Sequence, residues 1–121
     1  MTTGDREDAL DNLLGLIQTV GHELEEAARS VGLTVPQALL LRTLDEPMRM
    51  GDLASLRVCD PSSLTTMALR LEAAGLIIRR PDPSDRRARI VSLTAEGTYV
   101  RRRFVARLLR EDGVVVAWER R

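Results

Sequence analysis

Residues 79–94 have the sequence RRPDPSDRRARIVSLT, which is more informative about architecture than any other part of this 121-residue chain. Two short β-prone runs, LII at 76–78 and IVSL at 90–93, flank a segment rich in Pro and Asp. This pattern predicts a β-hairpin. Three arginines crowd near its tip: Arg86, Arg87 and Arg89. Guanidinium groups on a protruding hairpin suit contact with phosphates and with a narrow minor groove; the alternative is a solvated loop with internal ion pairs.

A helix-turn-helix pattern precedes the hairpin. Residues 50–56 predict a short amphipathic helix, and Asp60-Pro61 predicts the start of a second one that ends at Gly75. Its buried face has three- and four-residue spacing and comprises Leu64, Met67, Ala68 and Leu71. The opposite face suits contact with base edges and phosphates in a major groove and carries Ser62, Ser63, Thr65, Thr66 and Arg70. Ser and Thr are also common caps at a helix start, so each of them alone is a weak signal.

Two helices followed by an arginine-tipped hairpin form a winged helix-turn-helix, and at this point the chain resembles the MarR family of bacterial transcriptional regulators. The resemblance rests on LEAAGLI at 71–77, DPSDRR at 82–87 and VSLTAEG at 91–97. These motifs lie in a block from Leu53 to Gly97. A looser likeness, in helix order and length, extends from about Asp8 to Leu109.

The resemblance implies a sequence-specific regulator of transcription that binds a double-stranded DNA operator, with repression as the favoured direction. Helix 61–74 would enter the major groove and the wing, residues 81–89, the minor groove. The resemblance also implies that an acidic wing residue holds an arginine in place, for which Asp85 is the candidate. A small-molecule effector between the dimer helices and the DNA-binding lobe is a further possibility, but no residue identifies one.

The expected fold class is mainly α with a small β-hairpin, in a single domain of residues 1–121. Long helices, about 5–31 and 95–119, flank a winged core at about 34–94. The resemblance implies that they interdigitate in a homodimer, with these apolar interface residues: Leu13, Ile17, Leu24, Phe104, Leu108, Val115 and Trp118. The last helix is shorter than the family pattern, because only 114–118 can stand in for it.

Local signals place the remaining elements. Thr34 predicts the cap of a helix over 35–45, residues 48–50 predict a very short strand against the wing, and Thr94 predicts the cap of a helix over 95–111.

The charge distribution supports a nucleic-acid partner. Net charge is formally zero, which argues against a general polyanion binder. Residues 1–30 hold seven acids and two arginines, a balance of −5, whereas residues 57–89 hold seven arginines and four acids, a balance of +3. This asymmetry predicts a positive field at one end of the molecule. Aromatic residues make up only 2% of the chain, which disfavours single-strand and RNA binders that stack bases on rings.

Composition disfavours the other classes considered. No apolar run has the length of a membrane span, and no signal-peptide pattern is present, so a cytoplasmic protein is expected. The single Cys, Cys59, is interpreted as a small buried residue, and the single His, His22, as exposed rather than metal-binding. With no phosphate loop or metal-ligand spacing, neither catalysis nor a cofactor is expected. The remaining alternative is a winged-helix protein-interaction module without DNA recognition.

Overall fold

The computed structural model describes residues 2–56 and 60–121. The role of Cys59 therefore lies outside the described residues. The elements in chain order are α1 (Thr3–Ser30), α2 (Val35–Thr43), β1 (Met48–Arg49), α3 (Met50–Ser55), α4 (Pro61–Ala73), β2 (Ile77–Asp82), β3 (Asp85–Leu93), α5 (Ala95–Leu108) and α6 (Val114–Glu119). The mainly helical fold class with a small antiparallel sheet is confirmed. The sheet has the order β1-β3-β2, so the predicted short strand does pair with the wing.

The winged core is built by burying one side of the helix-turn-helix on the sheet. Leu64, Ala68 and Leu71 project from α4 into a cluster with Leu40 and Leu41 of α2, its C-cap Leu44, Leu53 of α3, and Leu76, Ile77 and Val91 of the hairpin region. Each of these side chains is almost completely buried. Burial of such side chains contributes about 1.5–3 kcal/mol each, and it fixes which face of α4 remains exposed.

The end of α4 is closed by a Schellman-type turn. The N–H of Leu76 donates to the Leu71 carbonyl at 3.0 Å, and the N–H of Gly75 donates to the Glu72 carbonyl at 3.0 Å. Gly75 has φ +78°, a conformation that glycine adopts without steric cost. The predicted stop at Gly75 is therefore confirmed, and the chain turns directly from α4 into β2.

The start of α5 lies against the turn that follows α4. Thr94 caps α5 by accepting from the Gly97 N–H at 3.0 Å, and its own hydroxyl donates to the Gly75 carbonyl at 2.6 Å. A Cβ at Gly97 would lie 1.9 Å from the Leu76 carbonyl oxygen, which is backbone and cannot rotate away. Glycine is thus required at 97 by this close approach.

Replacing Gly97 with alanine is expected to destabilise the protein by at least about 1–3 kcal/mol, because the new methyl group forces the α5 backbone away from the Leu76 carbonyl. Gly51→Ala in α3 is the matched control, since a Cβ there meets nothing within 4 Å. Thermal unfolding measures the melting temperatures of the two variants. Equal melting temperatures for both would contradict the close packing of α5 on this turn.

The hairpin differs from expectation in its extent. Strands were expected only at 76–78 and 90–93, but β2 and β3 continue to a turn formed by Pro83 and Ser84. Pro81 is accommodated because β2 is an edge strand, where a missing N–H breaks no ladder bond. Local β-propensity takes no account of cross-strand partners. Here cross-strand pairing overrides the weak β-propensity of the Pro, Asp and Arg residues.

A second, smaller core joins the first helix to the last part of the chain. Phe104 of α5 packs against Ala27 and Ala28 of α1 and Ala38 of α2, whose small side chains leave space for the ring. Phe104 is only 1% exposed within the single chain. The expectation that Phe104 has apolar surface left for a partner is therefore wrong.

The short last helix is attached to α1 by a buried carboxylate. Both oxygens of Glu23, which is 8% exposed, accept from the Val114 N–H at 2.9 and 3.0 Å. Glu23 thus supplies the cap that Gly113 lacks.

Within the described residues, no helix is long and apolar enough to cross a membrane.

Candidate nucleic-acid interface

The exposed face of α4 carries every polar residue that the sequence analysis assigned to it. Ser62, Ser63, Thr65, Thr66 and Arg70 are all exposed. Leu64 and Leu71 are buried and Met67 is half-buried on the opposite side. The predicted register of α4 is confirmed.

The N-terminus of α4 is organised around the carboxylate of Asp60. Oδ1 of Asp60 accepts from the Ser62 hydroxyl at 2.6 Å and from the Ser63 N–H at 3.0 Å, while Oδ2 accepts from the Ser63 hydroxyl at 2.8 Å. The Ser62 hydroxyl, then the Ser63 N–H and hydroxyl, lower the pKa of Asp60 to about 2. The carboxylate is therefore ionised at every pH of biological interest.

These contacts restrict what the exposed hydroxyls can do. The Thr66 hydroxyl also points back into the helix, donating to the Ser62 carbonyl at 3.4 Å. An ionised carboxylate and a carbonyl are acceptors only, so Ser62, Ser63 and Thr66 must be the donors. Sequence reasoning assigned the two serines to DNA contact and did not anticipate that their protons are held by Asp60.

A groove runs beside this face, between α4 and the start of α2. Its lining includes Ser62, Ser63, Thr66 and Arg70 of α4 together with Thr34 and Gln37 of α2. Thr34 and Gln37 cap each other reciprocally, with the Thr34 N–H donating to Gln37 Oε1 at 3.0 Å. The fold thus brings four of the five predicted α4 residues to one concave surface.

The wing arginines project from an irregular part of the hairpin. The register pairs Pro81 with Arg89 and then Asp82 with Asp85, so Arg86, Arg87 and Ala88 have no partner in that register. Arg86, Arg87 and Arg89 are all exposed. A bulge of this kind bends the strand and redirects its side chains, and Arg86 and Arg87 lie within it.

The tip of the wing is held by Asp82 rather than by Asp85. The Asp82 carboxylate is buried and accepts from the Ser84 N–H and hydroxyl at 2.9 and 2.8 Å. Arg49 of β1 lies 2.6 Å from Asp82 Oδ2 and donates to the Ser84 hydroxyl at 3.1 Å. The Arg49–Asp82 contact is an ion pair.

The electrostatics of this wing tip follow from those contacts. The Ser84 N–H first, then the Ser84 hydroxyl and the Arg49 guanidinium, hold the pKa of Asp82 below its ordinary value. Asp85 instead accepts the backbone N–H of Arg87 at 3.0 Å and, within the described part of the chain, forms no ion pair with a wing arginine. The expectation that Asp85 holds an arginine side chain is wrong; its carboxylate shapes the backbone.

The α4 and wing side of the molecule carries positive charge that no ion pair between described residues offsets. Arg79 pairs with Glu72 at 3.1 Å, and Arg57 lies outside the described residues. Five other arginines of this region form no ion pair with any described residue: Arg70, Arg80, Arg86, Arg87 and Arg89. This side therefore retains the cation excess that the sequence indicated, in a form that suits phosphate binding.

Comparison with known proteins agrees with this architecture. The sequence model of the MarR family matches residues 33–88. The HTH-type transcriptional repressor MdtR of Bacillus subtilis (strain 168) is 34% identical over 88 residues, which are 71% of this chain and 57% of MdtR. The transcriptional regulator HosA of Escherichia coli O111:H- is 38% identical over 81 residues, 65% of this chain and 56% of HosA. The chain spans about half the length of the curated relatives it matches.

A solved structure extends the likeness over most of the chain. The crystal structure of AbsC, a MarR family transcriptional regulator from Streptomyces coelicolor, is similar with a TM-score of 0.77 and 30% sequence identity. That alignment covers 93% of this chain and 81% of AbsC. The match includes the winged core and reaches the helices on both sides of it. This chain belongs to the MarR family.

Proposed function

We propose that this protein is a sequence-specific, double-stranded DNA-binding regulator of transcription that acts as a homodimer in the cytoplasm. In this proposal α4 enters the major groove of an operator, and the wing reaches the adjacent minor groove. The observation that carries the proposal is the combination of an exposed hydroxyl-and-arginine face on α4 with wing arginines that form no ion pair in the described part of the chain.

Two classes of contact contribute to such recognition. Arg70, Arg86, Arg87 and Arg89 supply charge for phosphates and for the minor groove, while the hydroxyls of α4 face base edges. Phosphate contacts position a protein on DNA and base contacts specify the sequence. Curated relatives include both a transcriptional repressor and a transcriptional activatory protein, and we favour repression here.

The dimer is proposed from apolar surface that the single chain leaves uncovered. Leu10, Leu13, Leu14 and Ile17 of α1 are each about half exposed or more, and Val115 and Trp118 of α6 are also exposed. An apolar groove between the two helices is lined by Leu16, Val20, Val114, Val115 and Trp118. Leu24 and Leu108 are half-buried in the second core and have less surface to offer. Exposed apolar surface of this extent favours an interaction surface.

Selection from a library of random DNA duplexes tests the proposal. A two-fold dimer is expected to enrich a site with two related half-sites, centred about one helical turn apart. The DNA-binding proposal fails if no sequence is enriched over bulk duplex, and a protein-interaction module then becomes the better account of the fold.

Substitutions on α4 are expected to separate the two classes of contact. Arg70→Ala should weaken binding to the selected site and to unrelated duplexes alike, because a phosphate contact carries no base information. Thr66→Ala should change base preference more than total affinity. Competition titrations with single-base variants of the selected site measure both effects. A uniform loss for Thr66→Ala would remove that residue from base recognition.

The wing tip is held by Arg49, Asp82 and Ser84, and a substitution at Asp82 tests this role. The direction of the change in DNA affinity distinguishes positioning of the wing from a simple effect of charge. Asp82→Asn removes a negative charge, and net charge alone would then favour tighter DNA binding. We expect weaker binding instead, because the ion pair with Arg49 that holds the wing tip is lost. Asp85→Asn is the matched control, since its side-chain acceptor for the Arg87 N–H is retained. Tighter binding by Asp82→Asn, measured by titration of the selected duplex, would contradict the positioning role.

A further inference from the structure

The start of α4 presents acceptors and few donors to a ligand. The protons of Ser62, Ser63 and Thr66 are directed to Asp60 and to the Ser62 carbonyl. A hydroxyl oxygen that has already donated its proton can only accept a hydrogen bond from a ligand, through its lone pairs. Asp60 adds an exposed carboxylate, whose Oδ2 accepts one hydrogen bond from a described residue and has capacity for another.

We infer that the start of α4 recognises the operator through hydrogen-bond acceptors, and that its targets are the exocyclic amino groups of cytosine or adenine in the major groove. The inference rests on the proposed function and names the base groups that this end of the helix contacts. In the major groove the only donors on base edges are cytosine N4 and adenine N6, whereas guanine O6 and N7 and thymine O4 accept.

The same contacts disfavour the opposite arrangement, in which the serine hydroxyls donate to acceptor atoms on the bases. To donate to guanine or thymine oxygens, the Ser62 and Ser63 hydroxyls would have to leave an ionised carboxylate. Hydrogen bonds to an ionised acceptor are about twice as strong as neutral ones. Their loss would also leave Asp60 facing acceptor atoms that repel it. An amino group avoids both costs, because it donates to lone pairs that the hydrogen bonds of the two serines to Asp60 leave unoccupied.

Donor groups occur farther along the same helix. Arg70 lies about two turns after Ser62 and borders the same groove. The face of α4 is therefore polarised, with acceptors at its start and a cationic donor towards its end. This polarity orients the helix on a half-site: amino groups lie under the start of α4, and phosphate oxygens lie near Arg70.

Base analogues in the best selected duplex test the inference. At each position adenine is replaced by purine, or cytosine by 2-pyrimidinone, so that only the amino group is lost. A second series replaces purines by their 7-deaza forms, which removes the N7 acceptor. Binding of each duplex is titrated with the unmodified protein and with the Ser62→Ala/Ser63→Ala variant, whose fold is checked by its melting temperature.

Loss of the amino group at one or two adjacent positions is expected to weaken binding of the unmodified protein by roughly three- to tenfold. The serine variant should lose less at those same positions, because the two serine acceptors are absent and only the Asp60 carboxylate remains. The inference is overturned if no amino deletion shows this difference, or if the 7-deaza series shows it instead. If no duplex binds better than bulk DNA, the proposed function fails and the inference fails with it.

Discussion

Replacement of Ile17 with aspartate is expected to convert the protein from dimer to monomer at micromolar concentration. Ile17 is 59% exposed in the single chain and lies in the uncovered apolar stripe of α1. Burial of such a side chain contributes about 1.5–3 kcal/mol, and burial of an unpaired carboxylate is strongly unfavourable. In a two-fold interface the substitution acts twice, so the effect on dimerisation is doubled.

Sedimentation velocity over a concentration series measures this effect. Leu56→Asp is the matched control, because Leu56 is 51% exposed but lies at the end of α3, outside the terminal helices. The control should remain dimeric. Deleting residues 113–121 probes the same interface from its other side and should also give monomers, whereas deleting only Arg120 and Arg121 should not. A dimeric Ile17→Asp variant, or a monomeric unmodified chain, would exclude the proposed interface.

The second large effect is expected at the wing. Arg87→Ala should weaken operator binding by about 1–3 kcal/mol with the fold unchanged, because Arg87 lies in the bulged, exposed part of β3 and forms no ion pair with a described residue. Arg86→Ala should have the next largest effect. The loss should concentrate on the outer edges of the operator, where the wing meets the minor groove.

Titration of the operator duplex at physiological salt measures this loss. Arg102→Ala is the matched control, because Arg102 is an exposed arginine that belongs to α5 and not to the wing or α4. Equal affinities for Arg87→Ala and the unmodified protein would remove the wing tip from the DNA interface. Equal losses for Arg87→Ala and Arg102→Ala would indicate a general charge effect only.

Elements defined by local signals were predicted well from the sequence. Thr34, Asp60 and Thr94 each cap the helix assigned to them, because capping depends on residues within one turn. Gly75 ends α4 as expected, since a positive φ is a property of a single position. The exposed face of α4 follows from the spacing of its buried residues and was also correct.

Features that depend on distant partners could not be predicted in the same way. The strands extend through Asp82 and Asp85 because of cross-strand pairing, and the wing is held by Arg49 of another strand. Phe104 is buried by alanines from two other helices, and α6 is capped by Glu23 of α1. Periodicity identifies an apolar face but does not say whether the same chain or a second copy covers it.

The hydrogen bonds among Asp60, Ser62 and Ser63 are local, yet they were not predicted from the sequence. All three residues were recognised, and Asp60 was correctly assigned as the cap. Their mutual hydrogen bonds are local and follow from an aspartate followed two and three residues later by hydroxyls. Because each serine donates its proton to Asp60, its hydroxyl oxygen has only lone pairs left for a ligand.

The most direct measurement is a salt-dependent titration of the protein with the duplex selected from the random library. An unrelated duplex of equal length serves as the comparison. The proposed function predicts that the selected duplex binds at least about a thousandfold more tightly, with affinity that falls steeply as salt concentration rises. Equal affinity for both duplexes, or binding that does not respond to salt, would contradict sequence-specific recognition by α4 and the arginine-bearing wing.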